Sequence, residues 1–179
     1  MNRRQILSTI PAAIAVAGAA SSTVNAQQRT ANTLGLTRFD HMSLNVADFD
    51  GAVEWYRTRL GLEVEVSWKV SALDGKQLAY LTLDGTRVLE IVAADPNGTG
   101  LRRPATFGQH FGRTGYGHLC FATDSVDDTM AALEARGATV FVTAETYPLD
   151  GTEFERRVAF ITDPEGNVVE FGEPLRRAS

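Results

Sequence analysis

The strongest constraint on this chain is that one pattern occurs twice: an alternating strand, an amphipathic helix ending at a glycine, then several further strands. The first copy reads as a strand over Phe39–Val46, a helix over Phe49–Leu60 stopped by Gly61, and strands at 62–70, 77–83 and 86–93. Asp74-Gly75 and Asp84-Gly85 supply the hairpin turns between them. The second copy reads as a strand over Gly117–Thr123, a helix over Val126–Arg136 capped by Ser125 or Asp124, Gly137 after it, and strands near 138–143, 156–162 and 167–172. A chain of this pattern is expected to fold as α+β: duplicated βαβββ modules whose four-stranded sheets form a curved mixed sheet around a shared cleft, each with a helix on its outer face.

At 179 residues and 44% hydrophobic content, the chain is long enough for one well-buried domain. A net charge of −5 leaves no broad basic surface for nucleic acid. Residues 1–26 read differently. Arg3 and Arg4 precede the apolar run Ile6–Ala20, and Val24-Asn25-Ala26 has the small-x-small form of a cleavage site. The segment resembles a twin-arginine export signal and is too short to span a membrane, which takes about 20 apolar residues. The expected product is periplasmic or secreted and free of the membrane after signal removal. Arg3 and Arg4 are the only charged residues removed, so its net charge becomes −7. Cys120 is the only cysteine, so no internal disulfide forms. Residues 27–36 read as a linker, 37–93 as module one, 94–116 as a connecting or substrate-covering loop, 117–174 as module two and 175–179 as a tail.

Strand alternation sorts the polar residues. His41, Ser43 and Asn45 share the face opposite Met42, Leu44 and Val46, while His118, Cys120 and Ala122 oppose Leu119 and Phe121. Glu90 lies between Leu89 and Ile91, and Glu170 between Val169 and Phe171. A lone carboxylate in such half-buried strands costs several kcal/mol. The two histidines open the copies 77 positions apart, and the two glutamates close them 80 apart. Each residue alone has an ordinary structural role. Their coincidence at equivalent places points to a divalent ion held by His41, Glu90, His118 and Glu170.

Phe39-Asp40-His41-Met42-Ser43-Leu44-Asn45-Val46, Gly115-Tyr116-Gly117-His118-Leu119 and Phe160-Ile161-Thr162-Asp163-Pro164-Glu165-Gly166-Asn167-Val168-Val169-Glu170 closely resemble the vicinal-oxygen-chelate superfamily, across roughly residues 37–174. That group includes glyoxalase I, extradiol dioxygenases, fosfomycin-resistance transferases and bleomycin-binding proteins. The resemblance places its metal positions on the same four residues, with Asp163 and Pro164 as the turn that aims the last strand. The ligand set is closest to that of glyoxalase I. It implies a lyase or isomerase in which Ni, Co, Zn, Mn or Fe polarises a carbonyl of a small substrate and Glu170 or Glu90 moves the adjacent proton.

An extradiol-type dioxygenase is the first alternative. The resemblance would bring it a tyrosine ten residues before the last ligand, where this chain has Phe160. A metal-free binding protein is the second. A homodimer is implied by resemblance alone. Arg102, Arg103, Arg113, Arg156 and Arg157 are candidates to hold an anionic substrate and read more readily as solvated charges. Trp55 and Tyr56 read as packing residues, His110 as a loop residue outside the ligand set, and Cys120 as a small core residue.

Overall fold

The computed structural model describes residues 36–97, 104–112 and 114–178. The expected export signal, nearly all of the first linker, Arg102, Arg103 and Arg113 lie outside them. The fold is α+β with two mixed sheets.

The first module runs β1 (Met42–Val46), α1 (Phe49–Leu60), β2 (Glu63–Val70), β3 (Lys76–Leu83) and β4 (Thr86–Ala93), with sheet order β1-β4-β3-β2. Asp48 starts α1 by accepting a 3.0 Å hydrogen bond from the Gly51 amide. Gly61 ends it at φ 72°, a left-handed conformation that costs glycine little. Because β1 and β4 run parallel, a crossover must join their ends, and α1 with the β2–β3 hairpin fills that path. Ala52 and Tyr56 of α1 bury against Leu81, Leu89 and Ile91. Each large apolar side chain so buried contributes roughly 1.5–3 kcal/mol.

The second module repeats this with β5 (His118–Ala122), α3 (Val126–Ala135), β6 (Thr139–Pro148), β7 (Phe154–Thr162) and β8 (Val168–Gly172), in the order β5-β8-β7-β6. Ser125 is the cap of α3, accepting from the Asp128 amide at 3.2 Å. Val126, Met130 and Leu133 pack on Ala159, Ile161, Val169 and Phe171.

Four features depart from the sequence expectation. β1 begins at Met42, so His41 stands just ahead of the strand rather than inside one starting at Phe39. β6 extends to Pro148 through two register shifts, well beyond 143. The last residues add a short strand, β9 (Arg176–Arg177), which pairs with β7 and gives the second sheet a fifth strand. The connection expected as loop contains a helix, α2 (Phe107–Phe111), whose Phe107 packs on the side of the second sheet away from α3.

Tyr56 joins the two modules. Its buried hydroxyl donates to Asp163 at 2.9 Å, and Asp163 also accepts from the backbone and side-chain amides of Asn167 at 2.8 Å each. The turn expected to aim β8 is therefore pinned to α1. Glu165 adds a second tie, accepting from the Ala47 and Asp48 amides at 2.7 and 3.2 Å.

Candidate metal centre

Cross-strand register places Ser43 and Tyr80 beside Glu90, on the face away from α1. His41 turns its Nε2 toward Glu90 Oε2 at 3.8 Å. Its Nδ1 donates to Asp40 Oδ2 at 2.8 Å, and the same oxygen accepts from Arg87 Nη1 at 3.2 Å. Arg87 also makes a forked pair with Glu65 at 2.8 and 2.9 Å. Glu65 and then Asp40 raise the guanidinium pKa further against the opposing effect of burial.

Equivalent register in the second sheet sets Cys120 and Phe160 beside Glu170. His118 Nε2 lies 2.7 Å from Glu170 Oε2, and its Nδ1 lies 3.0 Å from Nε2 of His110. For His118 to offer a lone pair at Nε2, Nδ1 must carry the proton and donate it to His110. Arg156 Nη1 stands 3.5 Å from Glu170 Oε1, while its Nε donates to the Glu173 carbonyl at 3.1 Å. Gly172 makes room for that guanidinium: a Cβ there would lie 2.4 Å from Nη2. Burial pushes the Glu170 carboxyl upward, but the His118 hydrogen bond and charge, Arg156 and Cys120 outweigh it and hold the pKa below its ordinary value.

The donor types, imidazole nitrogen and carboxylate oxygen, are those that a divalent ion takes. Each imidazole presents Nε2 to a carboxylate and has Nδ1 engaged by a partner, the arrangement that sets ring orientation in metal-ligating histidines. At His118, an ion would take the place of a proton between nitrogen and oxygen. The four candidates are brought together as two pairs. Among the described residues, no three His, Cys, Asp or Glu side chains gather closely enough to hold a metal. His41 and His118 also line one cleft of about 550 Å³, with Phe39 and Tyr116, each two residues ahead of its histidine, at the same cleft.

Two expectations need correcting. His110 is buried on α2 and bonded to His118, so it belongs to the site as a support rather than to a loop apart from it. Cys120 is exposed on the inner face rather than packed in the core; burial of its thiol, then Glu170, nevertheless push its pKa up. Arg157 is committed to Asp127, and Arg156 to the Glu170 side of the site. The supporting roles of Asp40 and Arg87 were missed. Asp40 directly before a candidate ligand was the available signal, whereas the Arg87 contact depends on how β4 meets β1.

Residues 38–171 match the model of the Glyoxalase/Bleomycin resistance protein/Dioxygenase superfamily. The chain belongs to this superfamily. It is 31% identical over 117 residues to an uncharacterized Synechocystis protein, slr0090, covering 62% of this chain and 33% of that one. The chain thus spans about a third of the length of this curated relative. Among solved structures, a glyoxylase/bleomycin resistance protein/dioxygenase domain from Frankia is similar with a TM-score of 0.58 at 24% identity, covering 77% of this chain and 92% of that one. Leishmania major glyoxalase I, described as trypanothione-dependent, gives 0.51 at 22%, covering 76% and 86%. The fosfomycin resistance protein FosX of Listeria monocytogenes gives 0.51 at 16%, covering 78% and 94%. At these identities the likeness concerns the fold.

Proposed function

We propose that this protein is a metal-dependent lyase or isomerase of the glyoxalase type, moving a proton next to a chelated carbonyl of a small substrate. The observation that carries the reading is the repeated pair, with a histidine Nε2 facing a strand glutamate at 3.8 Å in one half and 2.7 Å in the other. His41, Glu90, His118 and Glu170 would hold the ion. Bound there, it supplies Lewis-acid stabilisation of the negative charge that develops on the substrate oxygen.

The two glutamates differ in freedom. Glu170 is tied to His118 and Arg156. Glu90 faces His41 at the looser distance, and its Oε2 is the atom assigned to take the substrate proton. Asp40 and His110 keep the two imidazoles aimed. Since each half offers two donors, we assign the working form to a homodimer in which one chain's His41/Glu90 pair meets its partner's His118/Glu170 pair. We assign its location to the periplasm or the exterior, on the character of residues 1–26.

The test is metal content after anaerobic reconstitution with Ni, Co, Zn, Mn or Fe, run on the unaltered protein and on His41→Ala and His118→Ala. The reading expects about one ion per four-ligand site and a loss of at least about tenfold in affinity in each variant. Less than about a tenth of an equivalent with every metal would overturn it.

A further inference from the structure

On the helix-covered side of the sheets, away from the metal pairs, a fissure of about 260 Å³ runs between the end of α1 and α3. Its walls are apolar: Leu60 and Leu62 at the end of α1, Leu83 of β3, Phe121 of β5 and Phe171 of β8. Phe121 and Phe171 stack at a centroid separation of 6.1 Å and pack with the residues of α3, on the face opposite Cys120 and Glu170.

Two arginines stand at this fissure, Arg59 from the last turn of α1 and Arg136 at the end of α3. Elsewhere Arg57, Arg87, Arg156, Arg157, Arg176 and Arg177 each pair with a carboxylate. Among the described residues, Arg59 and Arg136 have no acidic partner, and no Asp or Glu lines the fissure. Their hydrogen bonds go to neutral groups: Arg136 Nη1 donates to the Arg59 carbonyl at 2.9 Å, and Arg59 Nη1 to the Thr58 hydroxyl at 3.1 Å. Arg59 Nε is buried without an acceptor, a state that the great majority of buried polar side-chain atoms avoid. A Cβ on Gly137 would lie 3.7 Å from Arg59 Nη2, so this guanidinium already reaches from α1 to the end of α3.

We propose that this fissure is a second ligand site, which binds a monocarboxylate with an unbranched hydrocarbon tail. A turn of the Arg59 side chain presents Nε and one Nη to the carboxylate as a fork, and Arg136 adds a second positive charge. The threonines that line the fissure set the direction of the ligand. Thr123 donates to the Ser125 carbonyl at 3.3 Å, and Thr129 then donates to Thr123 at 2.7 Å, so neither hydroxyl keeps a proton for an anion. The carboxylate therefore belongs at the arginines, with the tail along the leucine and phenylalanine side chains. The ion and the partner's residues assigned to the metal pairs face the other side of the sheets and do not enter this charge balance. The site stands independently of the proton-transfer reading.

Calorimetric titration of the full chain with octanoate, butanoate, octan-1-ol and inorganic phosphate tests this. Octanoate is expected to saturate at about one per chain and to bind at least about tenfold more tightly than each of the others, because a buried methylene adds up to about fourfold and the charged fork at least about tenfold. Arg59→Gln should weaken it at least about tenfold. Ala132→Glu, at an exposed position on α3, sets a carboxylate against the arginines and should do the same. The double variant His41→Ala/His118→Ala should hold octanoate within about twofold of the unaltered chain. Thermal melts establish that the variants fold. Octan-1-ol or phosphate bound as tightly as octanoate overturns the proposal, as does affinity unmoved in folded Arg59→Gln and Ala132→Glu. Loss of octanoate in the double histidine variant alone places the carboxylate at the metal pairs and also overturns it. If octanoate does not saturate the unaltered chain, the proposal fails; a dimer that Arg59→Gln then breaks in sedimentation would make the fissure a contact between chains.

Discussion

His118 Nδ1 meets Nε2 of His110 at 3.0 Å, which leaves Nε2 of His118 as the atom that faces Glu170. A helix of five residues thereby sets the direction of a ring on a strand of the second sheet. In the first sheet, Asp40 does the same for His41 from the preceding position in the chain.

His110→Ala and Asp40→Ala should each lower metal affinity about 10- to 100-fold, because each removes the partner that holds a ligand imidazole in register. Competition against a chromophoric chelator measures this. Equal affinity in both variants would mean that the Nδ1 contacts do not orient the ligands.

Gly172→Ala should push the flexible Arg156 guanidinium off the Glu173 carbonyl and destabilise the protein by no more than about 1 kcal/mol, since the new methyl would lie 2.4 Å from Nη2 and 2.8 Å from Cζ and that side chain can give way. Arg156→Ala in the same chain should relieve most of that cost. Urea denaturation of both single variants and the double variant gives the coupling directly, and additive losses would contradict the close packing.

Tyr56→Phe should cost about 1.5–3 kcal/mol by removing a buried hydrogen bond to a carboxylate. Burial, then the charge and hydrogen bond of Asp163, raise the Tyr56 pKa well above its ordinary value of 10. The unfolded chain therefore releases the phenolic proton first. The stabilising contribution is complete below pH 10 and declines as pH rises above it. Unfolding measured from pH 9 to 11 should show a weaker decline in Tyr56→Phe than in the unaltered protein. Identical slopes would contradict this assignment.

Much of the fold was legible because local rules decide it. Period-two alternation placed Glu90 and Glu170 on strands, and glycines at 61 and 137 stopped the helices close to where they end. The extension of β6 and the pairing of β9 depend on partners distant in sequence, for which no local signal exists. α2 escaped notice for the same reason. Five residues are too few to be helical alone, and Phe107 and His110 gain their burial from Phe160 and His118. Alternation also predicts which face a ligand occupies and says nothing of how far the two halves stand apart. The sequence reading gathered all four residues at one ion, whereas among the described residues they stand as two His/Glu pairs.

X-ray absorption of the zinc-loaded protein tests the central claim most directly, because it counts ligands by type. The account expects two imidazoles and carboxylate oxygens at roughly 2.0–2.2 Å with no sulfur neighbour. A sulfur shell near ~2.3 Å, which Cys120 alone could supply, or a spectrum with fewer than two imidazoles, would contradict it.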